Sequence, residues 1–143
     1  MTAMQDSNLL KTYLVVSGVL LILFGAGTLL VPIELKAVFD IAIPQDINVL
    51  NDVRAFSTLS FVIGVLAVVG AFVKRLTYTS SLIVFVQFLA LGSGRLVSVL
   101  IDGMPVQGNI IGMGNEFFLG IVGAVLFAKY QGASAVSEAS AKR

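Results

Sequence analysis

Three ionisable residues, Arg54, Arg95 and Glu116, fall inside or at the edge of long apolar runs. A charge in hydrocarbon costs a few kcal/mol or more, so such side chains turn toward protein or water and take partners. Helical spacing sets their faces. Gly112, Glu116, Gly120 and Gly123 line up one or two turns apart, a strip of small residues that admits a neighbouring helix and carries one carboxylate. Gln87, Gly92, Arg95, Ser98 and Asp102 share a face in the preceding run, and Arg54, Ser57, Phe61 and Gly64 share one in the run before that. With Asp52 and Asp102 near the same rim, the arginines and Glu116 are expected to converge into one polar cluster. Two kinds of chemistry suit it. Arg95 and Glu116 can form a buried ion pair that fixes helix register, with Arg54 reaching toward headgroups. Alternatively, the cluster lines an outward-open cleft whose positive excess suits an anionic or amphipathic small ligand, unless Asp52 and Asp102 cancel it. In a proton-coupled transporter or exporter Glu116 would be the titrating group, provided no arginine holds it ionised.

Other chemistries are excluded by composition. The chain has no cysteine, histidine or tryptophan, which removes thiolate nucleophiles, disulfides, imidazole relays and Cys/His metal sites. No cofactor and no metal are expected. Acid–base catalysis would fall to carboxylates, lysines or tyrosines, and only Glu116 is suitably placed, so a non-enzymatic role is the leading expectation. A net charge of +1 without a clustered basic patch gives no footprint for nucleic acid. The glycine runs suit helix packing better than phosphate binding, since Gly25-Ala26-Gly27 lies in mid-span.

The positioning elements follow from hydropathy. Of 143 residues, 57% are hydrophobic and 12% charged, with mean hydropathy +1.00, against roughly 25% charged in an ordinary soluble domain. Apolar runs of this length read as spans of a hydrocarbon core about 30 Å thick. The expected fold is all-α, an integral membrane four-helix bundle occupying residues 1–130 with spans at 12–31, 55–73, 76–101 and 110–128. Glu116 must enter the fourth, because Phe117 to Ala128 alone reaches only about 18 Å. Counted from the Lys74–Arg75 side, Arg54 and Arg95 lie about 28 Å deep and Glu116 about 18 Å. Between the first two spans, Leu35, Val38, Phe39 and Ala42 fall at helical spacing opposite Glu34, Lys36, Ala37 and Asp40. That pattern predicts a short outer amphipathic helix ended by Pro44, after which Gln45 to Asp52 turns the chain back. The Ala- and Ser-rich tail over 131–143 is expected to be disordered.

Six of the nine basic residues, Lys11, Lys74, Arg75, Lys129, Lys142 and Arg143, lie on one side of these spans, which places both termini in the cytoplasm. Tyr13, Tyr78 and Tyr130 fall at the same ends, as interfacial anchors would, and Pro32, Pro44 and Pro105 fall in the opposite connectors. The first run, at 20 residues, is longer than a signal-peptide core and reads as a retained helix. Phe24-Gly25-Ala26-Gly27-Thr28-Leu29 echoes Leu91-Gly92-Ser93-Gly94-Arg95-Leu96, a pattern of two hairpins sharing one orientation.

Asn51-Asp52-Val53-Arg54-Ala55, Gly94-Arg95-Leu96, Ile101-Asp102-Gly103 and Asn115-Glu116-Phe117 carry a family resemblance. The chain resembles an uncharacterised bacterial family of four-helix membrane proteins, domain of unknown function 4345, and is similar in size to the DoxX-like group. The resemblance covers most of the chain to about Ala128 and implies a multi-pass protein of the bacterial inner membrane, with Arg54, Arg95 and Glu116 as signature positions. It implies no mechanism. The expected role is a small accessory or ligand-binding scaffold, its partners being the lipid bilayer and a membrane protein, a second copy of itself or an amphipathic ligand.

Overall fold

The computed structural model describes residues 7–141, with side chains through residue 131. It is all-α: α1 Asn8–Leu30, α2 Pro32–Ala37, α3 Ile47–Phe72, α4 Lys74–Asp102 and α5 Gln107–Ala141. Four helical stretches, Asn8–Leu30, Ile47–Phe72, Lys74–Asp102 and Gln107–Gln131, are long and apolar enough to cross a membrane. They alternate in direction. One end of the bundle therefore gathers residues 31–46 and 103–106, here the connector end, and the opposite end gathers the start of α1, the α3–α4 turn and Lys129.

Two hairpins of the same orientation, α1 with α3 and α4 with α5, make up the bundle, with α3 and α4 joining them. Small residues allow the close packing. In α1 and α3, Gly18 and Gly64 face each other so closely that a Cβ on either would stand 2.7 Å from the other's carbonyl oxygen. Gly25 lies against the backbone of Ser57 and Phe61. The α3–α4 seam is sewn by side chains instead. Thr77 donates to the Gly70 carbonyl at 2.8 Å, Ser80 to the Leu66 carbonyl at 2.9 Å, and Gln87 to the Ser60 hydroxyl at 3.1 Å. Leu10, Tyr13, Leu14, Leu21, Val84, Phe88 and Leu126 are among the few large side chains buried inside.

Several boundaries differ from the expectation. α3 starts at Ile47, eight residues before Ala55, because Asp46 caps it: its Oδ1 accepts from the Asn48 and Val49 amides at 2.8 and 3.1 Å. Six of the eight residues expected to turn the chain back, 47–52, thus lie within the first two turns of α3. Helix α2 stops at Ala37, well short of Pro44. Asp40, at φ 59°, takes the left-handed position, the Ile41 amide bonds back to the Lys36 carbonyl and the Asp40 amide to that of Ala37. This is a Schellman closure, in which aspartate stands where glycine is usual. Residues 131–141, expected to be disordered, carry the backbone of α5 onward to Ala141, a continuation that an Ala-rich stretch without proline favours; side chains 132–143 lie outside the described residues.

Tyr13 is a further correction. It is buried in the bundle, its hydroxyl donating to the Leu119 carbonyl at 3.1 Å beside Gly123, and so does not serve as an interfacial anchor. The glycine strip of α5 made room for the ring.

Candidate functional site

Arg95 on α4 and Glu116 on α5 meet at the connector end. The guanidinium Nε donates to both carboxylate oxygens, at 3.0 and 2.8 Å, and Nη1 donates to Oδ1 of Asn109 at 2.8 Å. Glu116 is 12% exposed and Arg95 33% exposed, so the pair lies half inside protein and half at the surface. Counted along the two spans, these residues stand about 10 Å apart in depth. Register removes the gap: Gly92 lies against Phe117, Leu89 against Gly120 and Phe85 against Gly123. In that antiparallel order Glu116 falls beside Arg95, and Ala128 stands level with about Ser81 instead of Leu76.

The rest of the expected cluster is dispersed. Arg54 is exposed and its Nε donates to the Leu29 carbonyl at 3.2 Å, which ties α3 to the end of α1. Its face, with Ser57, Phe61 and Gly64, is turned to α1, since Ser57, Phe61 and Gly64 all pack there. Gln87 belongs to the α3–α4 seam through Ser60, two turns below Arg95. Asp102 is exposed and accepts from Ser98 at 2.9 Å within its own helix. Asp52 is exposed and makes no hydrogen bond or ion pair among the described residues. Neither aspartate cancels the arginine.

Two members of the site escaped the sequence reading. Asn109 extends the α5 strip one turn beyond Gly112, seven residues before Glu116, so the spacing that found Glu116 also reaches Asn109. Lys36 had no such signal. It is brought in by the folding of the connector: Leu35 packs on Gly27, the Phe39 ring lies tilted against Phe24 with ring centres 5.8 Å apart, and the Phe39 backbone lies against Gly108, next to Asn109. Lys36 stands between these anchors.

Burial first, and then the nearby Arg95 cation, hold the Lys36 ammonium below the usual lysine value of 10.5, while Glu116 pulls the other way. A lysine whose folded pKa is lowered binds fewer protons folded than unfolded, so its charge costs stability below the folded pKa. The cost fades as pH rises from there toward the ordinary lysine range. Lys36, Arg95 and Glu116 together carry one positive charge in excess. Among the described residues no group of His, Cys, Asp or Glu is arranged to hold a metal ion.

The sequence pattern of the family described as a domain of unknown function (DUF4345) matches residues 9–127, which reaches into all four long helices and includes every member of this cluster. No curated protein and no solved structure matches the chain.

Proposed function

Since the chain belongs to the DUF4345 family, which assigns it no chemistry, we propose its role from the geometry. It is a non-enzymatic, four-span protein of the bacterial inner membrane with both termini in the cytoplasm, acting as a small scaffold that holds an anionic amphiphile or an accessory partner at its connector end. The carrying observation is the Lys36, Arg95, Glu116 and Asn109 set, net positive and half exposed at one end of a bundle whose outward faces are apolar. Leu23, Phe118 and Leu100, on three different long helices, are 63, 65 and 76% exposed, and continuous apolar surface of that kind calls for lipid contact.

Transport coupled to Glu116 has less support. Both its oxygens accept from the Arg95 Nε, so the carboxylate is committed to the contact between α4 and α5.

Purification in a mild neutral detergent, with lipid extraction and mass spectrometry, tests the reading. A near-stoichiometric anionic amphiphile or membrane-protein partner, lost when Arg95 and Glu116 are both replaced by leucine, is the expected result. Substrate-driven proton flux in liposomes that E116Q abolishes would replace the scaffold with a transporter.

A further inference from the structure

The connector end holds donors that the protein itself leaves unused. Arg95 spends Nε on Glu116 and Nη1 on Asn109, while Nη2 makes no hydrogen bond among the described residues. The Lys36 ammonium is half-buried and likewise makes no hydrogen bond or ion pair among them. The charged groups that act on it are Arg95, which repels it, and Glu116, already engaged by Arg95. The Lys36 turn, whose Phe39 backbone lies against Gly108 next to the Asn109 that Arg95 holds, brings a second cation to the end of the bundle where one carboxylate serves Arg95; an incoming anion stabilises such an excess, and guanidinium and ammonium donors can address separate oxygens of one tetrahedral group.

The level of the site selects the anion. Helix α4, at 29 residues, is about 44 Å long and exceeds a hydrocarbon core of about 30 Å. Its ends therefore stand in the headgroup layers. Arg95 lies seven residues, about 10 Å, below the end at Asp102, close to the boundary where lipid phosphates begin. Lys36 follows directly on α1, past the break at Val31. It therefore belongs to the headgroup layer itself.

We infer that Nη2 of Arg95 and the ammonium of Lys36 form a receptor for the phosphate of an anionic phospholipid headgroup, clasped by the 32–46 connector between Gly27 and Gly108. This rests on the membrane reading proposed above. In it Lys36 is the specificity-determining residue: its ammonium joins no two helices by a hydrogen bond or ion pair among the described residues, and the bound phosphate supplies its counter-charge.

The test uses the full chain purified in a neutral detergent, with thermal unfolding followed as short-chain phosphatidylglycerol, phosphatidylcholine of equal chain length or sodium phosphate is added. Phosphatidylglycerol is expected to raise the melting temperature saturably, and the other two are not. K36Q should fold, melt no lower than the parent without lipid, and need about tenfold more phosphatidylglycerol for half the effect, the loss of one charge-assisted hydrogen bond. R75Q at the opposite end should respond like the parent. A shift reproduced by sodium phosphate would make the ligand a free ion and overturn the lipid source. A shift equal with phosphatidylcholine, or unchanged in K36Q, would overturn the receptor. No shift at all, with the chain still recovered from the membrane fraction, would remove the receptor and leave the scaffold standing. A chain that does not fractionate with membranes would remove the scaffold reading as well.

Discussion

Replacing Arg95 or Glu116 alone by leucine should destabilise the detergent-solubilised protein by about 2 to 3 kcal/mol, and replacing both should restore most of that loss. A fully buried pair typically loses roughly 3 to 5 kcal/mol when one partner is removed, because the other charge stays behind uncompensated. The lower figure applies here because Arg95 keeps 33% of its side-chain surface exposed. Arg95→Leu leaves the nearly enclosed Glu116 carboxylate without a donor and strands the Asn109 carbonyl. Glu116→Leu leaves the partly enclosed Arg95 guanidinium without its anion. The double variant removes both faults, so the coupling read from a double-mutant cycle of thermal or denaturant unfolding should approach the size of one single loss. Arg54→Leu should cost less than about 1 kcal/mol, since its bond to Leu29 is exposed and is a single neutral acceptor. Simple additivity of the two losses would show that Arg95 and Glu116 do not act as a pair.

Gly25→Ala should be a strongly damaging one-carbon change, lowering stability by about 2 kcal/mol or more. The added Cβ would stand 2.6 Å from the Phe61 amide nitrogen, 2.9 Å from the Phe61 Cα and 2.9 Å from the Ser57 carbonyl oxygen. All three are backbone atoms of α3. They cannot rotate aside, so the helices must separate and loosen the α1–α3 seam. Gly94→Ala, one residue from Arg95 in sequence, is the matched control. Nothing lies within 4 Å of its Cβ position, and alanine in an open helix position gains up to about 1 kcal/mol over glycine. Thermal unfolding in one detergent distinguishes the two directly, and equal melting temperatures would contradict the close approach.

Local spacing made part of this site legible. The four apolar runs became four long helices, and the strip Gly112, Glu116, Gly120 and Gly123 does face protein, because in a helix the residue types one or two turns apart share one contact surface. The same rule put Arg54, Gln87 and Arg95 on correct faces and still misjudged their meeting. Faces are local, whereas which helix a face meets depends on the packing order, and α3 gives its Arg54 face to α1. Depth was misread for a related reason. Counting from Ala128 assumed that α4 and α5 end at one level, but the glycines of α5 set a register shifted by about five residues. Lys36 was illegible because a turn closed by an aspartate in left-handed geometry, and not the amphipathic pattern, decides where its connector lies. Asp46 as an N-cap was available in the sequence, with Asn48 and Val49 behind it, and was masked by reading the start of the span from hydropathy alone.

The orientation of the connector end decides whether the Lys36–Arg95–Glu116 cluster meets the outside, and cysteine labelling measures it directly, since the native chain has no cysteine. Single cysteines at Gln45 and Gln107, both exposed at the connector end, and at Ser7 and Thr79 at the opposite end, are treated in intact cells with a membrane-impermeant maleimide. The account predicts labelling at Gln45 and Gln107, and at Ser7 and Thr79 only after the cells are opened. Reaction of Ser7 and Thr79 in intact cells, with Gln45 and Gln107 protected, would place the cluster on the cytoplasmic side and contradict it.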